Sequence, residues 1–168
     1  MDIVYKAQVF ATAAHYAVKQ VRKYTGEPYI VHPAEVVDIL YQYGATPEQA
    51  AAGWLHDTVE DTGVTIDVIY YEFGQTIGNY VNWLTDQTKP EDGNRATRKK
   101  MDADRLALAP AEVQTVKYAD LISNTKSITE HDAGFAKTYL VEKAYLLSVM
   151  TKGNQHLYEI AIKNIVTV

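Results

Sequence analysis

The sequence predicts an all-α fold. Three observations carry that expectation. Apolar residues recur at steps of three and four along nearly the whole chain. Prolines stand where helices start (Pro33, Pro47, Pro110) and glycines where they stop (Gly44, Gly153). No run alternates apolar and polar residues convincingly enough to make a strand, and there is no internal repeat or low-complexity tract. With 168 residues the chain can bury a core without staples. Residues 1–168 are read as one domain, globular and not a coiled coil.

The elements follow in order. Ile3, Ala7, Phe10, Ala14, Ala17 and Val21 mark one face of a first helix, with Asp2 placed to cap it. Tyr24 to Val31 contains Gly26 and Pro28 and reads as a loop. Pro33 suits the first turn of a second helix that points Val36, Val37, Leu40 and Tyr43 inward and ends at Gly44. Thr46-Pro47-Glu48-Gln49 is a capping box opening an Ala-rich helix through Leu55. Thr65 caps a helix that stops near Gly74, after which Ile77, Tyr80, Val81 and Leu84 keep the helical period. Residues 86–94 (DQTKPEDGN) are loop-like but too short to link domains, and a basic helix begins at Arg95. Pro110 opens a helix to about Ile128. Ala136, Leu140, Lys143, Leu147 and Met150 mark a long helix, and Gly153-Asn154 separates it from a last one.

Composition narrows the function classes. Hydrophobic residues make up 47% and charged residues 22%, the balance of a globular protein and not of a disordered one. Cysteine is absent, which removes disulfides, thiolate metal sites and thiol nucleophiles. The net charge of −5 argues against a generally basic nucleic-acid surface. The first residues, MDIVYKAQVF, hold no apolar signal core, and no window approaches a membrane span, so the expectation is a cytoplasmic protein with no membrane or nucleic-acid partner. A homo-oligomer is compatible with all of this. Tyrosine is over-used: 13 residues against 3 Phe and 2 Trp.

The densest chemistry is Leu55-His56-Asp57-Thr58-Val59-Glu60-Asp61-Thr62. On a continuous helix His56 and Glu60 share one face, and Asp57 and Asp61 the next. Four ionisable groups directly after an apolar run are costly to bury unless they bind something, and imidazole with carboxylate suits a borderline divalent metal such as manganese, iron or zinc. The plain alternative is a helix end turning its acids to water. The helix after Pro110 is unusual too. Its stripe of Val113, Val116, Asp120, Asn124 and Ile128 puts two polar residues on an apolar face, with Lys117 and Ser127 beside it. Asp120 suits a metal and Asn124 a ligand; a buried hydrogen-bond network is the alternative. In the loop, His32 precedes Pro33, and Arg22-Lys23 serve either an anionic ligand or the C-terminal dipole of the first helix. His15, His131 and His156 fit no metal pattern and read as surface or core residues.

Together these segments resemble a known family. The order His32, His56-Asp57, Asp120 is the metal-binding pattern of HD-domain phosphohydrolases. More specifically, RKYTGEPYIVHP, then LHDTVEDT, FG, LTD and VKYADLISN resemble the hydrolase domain of the RelA/SpoT-type enzymes, which degrade the alarmone (p)ppGpp. The resemblance covers roughly residues 5 to 160. With no room for a synthetase domain, it implies a stand-alone small alarmone hydrolase like the metazoan SpoT homologues, with an HD-type globular helical bundle. His32, His56, Asp57 and Asp120 are then the ligands of one metal, usually manganese in this family. Glu60 and Asp61 are the acids that position or deprotonate the attacking water. Arg22 and Lys23 meet the base and phosphate of a guanine nucleotide, Asn124 lies by the nucleoside, and Tyr139 contacts ligand or is one more core aromatic. Arg98 and Lys100, in the basic run Arg95–Lys100, close over the pyrophosphate or line a solvated helix face. Two departures stand out: Leu121 replaces the basic residue many relatives carry after the aspartate, and the loop after Ile128 (TEHDAG) is short.

The implied reaction is hydrolysis of the 3′-pyrophosphate of ppGpp to GDP and pyrophosphate by a metal-activated water. Two other readings stay open: a phosphohydrolase for another nucleotide, such as the 2′-phosphate of NADPH or a deoxynucleotide, and an alarmone-binding module without turnover.

Overall fold

The computed structural model describes residues 2–166. Nine α-helices and one 3₁₀ turn account for the regular structure among them, in the order α1 (Ile3–Ala17), α2 (Val31–Gln42), α3 (Pro47–Leu55), α4 (Thr58–Asp61), α5 (Ile66–Leu84), the 3₁₀ turn (Pro90–Asp92), α6 (Arg95–Leu106), α7 (Ala111–His131), α8 (Ala133–Val149) and α9 (Gln155–Val166). The fold is all-α. The only strand-like pairing among the described residues is an isolated bridge between Val21 and Pro28. No described helix is long and apolar enough to cross a membrane. The chain divides into two compact units, Met1–Thr85 and Asp86–Val168.

In the first unit α3 is central, packed on α1, α2 and α5. Every residue from Gln49 to Leu55 is buried, so past its first turn this helix has no solvent face. Such a helix needs small side chains for its neighbours to approach. The run Ala50-Ala51-Ala52-Gly53 supplies them. A Cβ on Gly53 would lie 2.9 Å from Leu40 Cδ1 and 3.1 Å from Val37 Cγ2, both on α2. The Thr46 box forms as read: Thr46 Oγ1 accepts from Gln49 N, and the Gln49 side chain accepts from Thr46 N. Asp2 likewise caps α1, accepting from Val4 N and Tyr5 N.

The second unit is built around α7, which packs on α8 and α9, with α6 against α8. Gln114, fully buried on α7, donates its amide to the carbonyls of Leu106, Ala107 and Ala109, satisfying the end of α6. Tyr118 Oη donates to Met150 O at 2.6 Å and so ties α7 to the end of α8.

The structure corrects the reading at several boundaries. The first helix stops at Ala17, so Ala17 and Val21 lie outside its buried face and both are exposed. Arg22 and Lys23 are therefore four or more residues beyond the helix end and are not its dipole partners. The second helix begins at Val31, which puts His32 inside its first turn and not at the end of a loop; Tyr43 is exposed. The stop read near Gly74, by contrast, is present: at φ 79° and ψ 178° that residue is non-helical and divides α5 into two helical stretches. The TEHDAG segment is no loop: α7 runs to His131 and Asp132 alone separates it from α8.

Candidate metal centre

The site in the first unit grows from the end of α3. His56 is the C-cap of that helix, and its Nδ1 lies 2.7 Å from Gly53 O. A carbonyl only accepts, so Nδ1 carries the proton and Nε2 presents its lone pair. The next residue, Asp57, adopts φ −99°, ψ −2°, which breaks the helix before the single turn α4. The continuous helix expected through residues 55–61 is thus two pieces. The break swings the Asp57 carboxylate back, its Oδ2 3.0 Å from His56 Nε2. His32 comes from α2, its Nε2 3.2 Å from His56 Nε2 and 3.7 Å from Asp57 Oδ2.

Three donor atoms, two imidazole nitrogens and a carboxylate oxygen, lie within 4.8 Å of one another. Both histidines are buried and Asp57 is partly so. Lone pairs aimed at one another in an apolar shell repel unless a cation lies among them. Imidazole with carboxylate, and no thiolate in the chain, is the donor set of a borderline divalent ion. The residues present therefore fit a metal.

The surrounding residues fix this cluster. Tyr29 Oη donates to Asp57 Oδ2 at 2.5 Å. The Tyr29 ring in turn rests on His15 (centroids 4.7 Å apart) and His32 (5.9 Å). Thr58 is fully buried, and its hydroxyl has no hydrogen-bond partner among the described residues. Asp61 follows one turn after Asp57, its N bonded to Asp57 O. Partial burial lifts its carboxyl above the ordinary aspartate range, Gln20 Nε2 (2.9 Å from Oδ2) pulls it down, and the Asp57 charge pushes it up again. Glu60 is exposed on the same turn.

Arg22 and Lys23 ride on the loop closed by the Val21–Pro28 bridge. Arg22 N donates to Glu27 O, and Gly26 N, with Gly26 at φ 73°, donates back to Arg22 O. A left-handed residue at that turn suits glycine. The Lys23 ammonium sits over the Tyr24 ring, 5.0 Å from its centroid.

The other predicted residues belong to the second unit. Asp120 is buried on α7, where Lys117 Nζ pairs with Oδ2 at 2.8 Å and Asn124 Nδ2 donates to Oδ1 at 2.7 Å. The polar residues that interrupted the apolar stripe are therefore partners of one another. Tyr139 is buried on α8 within reach of Thr125 Oγ1, and burial pushes its phenol above the usual range. Arg98 is half-buried and its Nε has no partner among the described residues, whereas Lys100 is exposed and paired to Asp104 at 2.7 Å. Leu121 is 1% exposed and belongs to the core.

Sequence reasoning missed Tyr29, Gln20 and the role of His15. Tyr29 lay inside the quoted EPYIVHP motif, but nothing in spacing tells which carboxylate a loop tyrosine will reach. His15 is indeed a core residue, bonded through Nδ1 to Gln20 Oε1 at 2.6 Å.

A GTP pyrophosphokinase of Myxococcus xanthus is 32% identical over 134 residues, covering 76% of this chain and 17% of that protein. A Synechocystis protein carrying the name guanosine-3′,5′-bis(diphosphate) 3′-pyrophosphohydrolase is 33% identical over 129 residues, covering 75% of this chain and 17% of its own length. The chain thus spans about a sixth of the curated relatives it matches. Among solved structures, a metazoan orthologue of SpoT, described as hydrolysing ppGpp and acting in starvation responses, superposes with a TM-score of 0.88 at 20% identity, over 99% of this chain and 96% of that one. The resemblance to RelA/SpoT-type hydrolase domains therefore holds in sequence and in fold. The HD-domain profile matches residues 7–143, across both units, and the chain belongs to the HD-domain family.

Proposed function

We propose that the chain hydrolyses the 3′-pyrophosphate of guanosine tetra- or pentaphosphate, turning ppGpp into GDP and pyrophosphate. The observation that carries this reading is the convergence of His32 Nε2, His56 Nε2 and Asp57 Oδ2 with Asp61 one helical turn away. The names of the curated relatives support the substrate class.

His32, His56, Asp57 and Asp120 would hold one divalent ion, manganese in this reading. Such an ion, when bound, supplies Lewis-acid charge for a phosphoryl oxygen and makes water more acidic. Asp61, with a carboxyl lifted above the ordinary range, is suited to take the proton from the attacking water, and Glu60 stands beside it. The water oxygen bonds the phosphorus nearest the ribose, the bond from that phosphorus to the 3′ oxygen breaks, and the 3′ oxygen leaves with a proton. Arg22 and Lys23 meet the guanine nucleotide from the 21–28 loop. Asn124 and Tyr139 line its nucleoside, and Arg98 and Lys100 approach the pyrophosphate.

The test is incubation of the manganese-loaded protein with ppGpp and separation of the products. GDP and pyrophosphate in equal amounts are expected. No release from ppGpp, with phosphate released from NADPH or a deoxynucleotide, overturns the substrate. In the same assay Glu60→Ala and Asp61→Ala are expected to lower turnover while metal stays bound. Loss of metal would make that acid a ligand instead of a base.

A further inference from the structure

We propose that Gln20 is a positioning residue for Asp61, held in its working orientation by His15. The kinetic arm of this inference rests on the hydrolase reading above.

The argument begins with how α1 ends. Lys19 N donates to Tyr16 O and Gln20 N to His15 O, the paired bonds of a Schellman cap. The cap requires a left-handed residue, and Lys19 takes it at φ 55°, although a side chain disfavours that conformation. The result turns Gln20 back over the helix it has just left. Its side chain then bridges two groups: Oε1 lies 2.6 Å from His15 Nδ1, and Nε2 lies 2.9 Å from Asp61 Oδ2.

Chemistry fixes every proton in this chain. An ionised carboxylate only accepts, so the amide NH₂ faces Asp61 and the amide oxygen faces His15. His15 Nδ1 must then be the donor. The imidazole is enclosed: it is 1% exposed and its ring packs against Tyr29, the residue that donates to Asp57. One buried histidine therefore backs both carboxylates at the two ends of the α4 turn, Asp61 through Gln20 and Asp57 through Tyr29. A neutral amide is the fitting link. A lysine or arginine there would hold Asp61 equally well but would pair with its charge and suppress its basicity.

Gln20→Leu and Gln20→Glu test this. Gln20→Leu removes the donor to Asp61. Gln20→Glu keeps the size and the acceptor for His15 but sets a second acid against Asp61. Both are expected to lower kcat about 10- to 100-fold, part of what a general base contributes. KM and manganese affinity should stay within about threefold. Glu performing as well as Gln, or a loss confined to KM, overturns the proposal. A second readout needs no turnover. In the metal-free protein, the Gln20 side-chain amide protons should be protected from solvent exchange and lose that protection in Asp61→Ala, and unprotected amide protons in the parent chain also overturn it. If the parent chain hydrolyses no nucleotide, the functional reading fails and the amide protection alone decides the positioning role.

Discussion

Replacing Tyr29 by phenylalanine isolates one hydrogen bond in the metal cluster. The ring contacts to His15 and His32 remain, and only the donor to Asp57 Oδ2 is lost. That oxygen is the same atom that faces both imidazole nitrogens. A hydrogen bond to a charged group contributes about 1.5–3 kcal/mol. The Asp57 side chain is 20% exposed, so water can replace part of it and the lower end of that range is the better figure. At 1.4 kcal/mol per decade this becomes a roughly tenfold loss of metal affinity, the low end of what partners of metal ligands usually contribute. Manganese affinity measured by competition against a fluorescent chelator, for the parent and Tyr29→Phe proteins at equal pH, reads it directly. Thermal unfolding of the metal-free proteins checks that the fold is kept. An affinity unchanged within twofold would refute the idea that Tyr29 fixes the Asp57 carboxylate for the metal.

Further outcomes follow from other parts of the molecule. His56→Ala should abolish measurable manganese binding in the same titration, and retention would sink the metal assignment. Asp120→Asn should weaken binding by at least about tenfold if Asp120 is a ligand; an unchanged value would leave it only as the partner of Lys117 and Asn124. Gly153→Ala should destabilise the chain by about 1–3 kcal/mol in denaturant unfolding, since its Cβ would lie 2.5 Å from Tyr118 Cε2 and 2.8 Å from the Thr115 backbone nitrogen. Burial, with Lys117 and Lys99 nearby, lowers the Lys143 ammonium from 10.5 to about 8. A folded state that binds this proton less tightly than the unfolded chain gains stability as pH rises from about 8 to 10.5. Lys143→Met should therefore raise the melting temperature below pH 8, and the gain should shrink across that window. The single-domain expectation predicts one unfolding transition for residues 1–168, and two resolved transitions would separate the units.

Most helices were legible because their signals are local. The Thr46 box, the Asp2 cap and the Ala-rich run through Leu55 are short-range features, and the structure forms each of them. Boundaries failed where tertiary contacts outweighed the pattern. Val21 kept the apolar period of α1, but the Schellman turn at Lys19 sends the chain back toward Pro28. Gly74 was legible as a stop: its non-helical backbone divides α5 into two helical stretches, and Phe73 and Ile77 on either side are both buried. His56 and Asp57 were visible as a pair, while the helix break between α3 and α4 was not, because residues 55–61 contain no glycine or proline to announce it.

The sequence by itself determined the fold class, the donor types and the absence of thiol chemistry, since periodicity, capping and composition are properties of the chain alone. The motifs also named His32, His56 and Asp57 in advance. Only the tertiary structure decided that their donor atoms meet within 4.8 Å, that Tyr29 holds one carboxylate and that Gln20, backed by His15, holds the other. These are relations between elements distant in sequence, and no local pattern encodes a distance between two side chains that packing alone brings together.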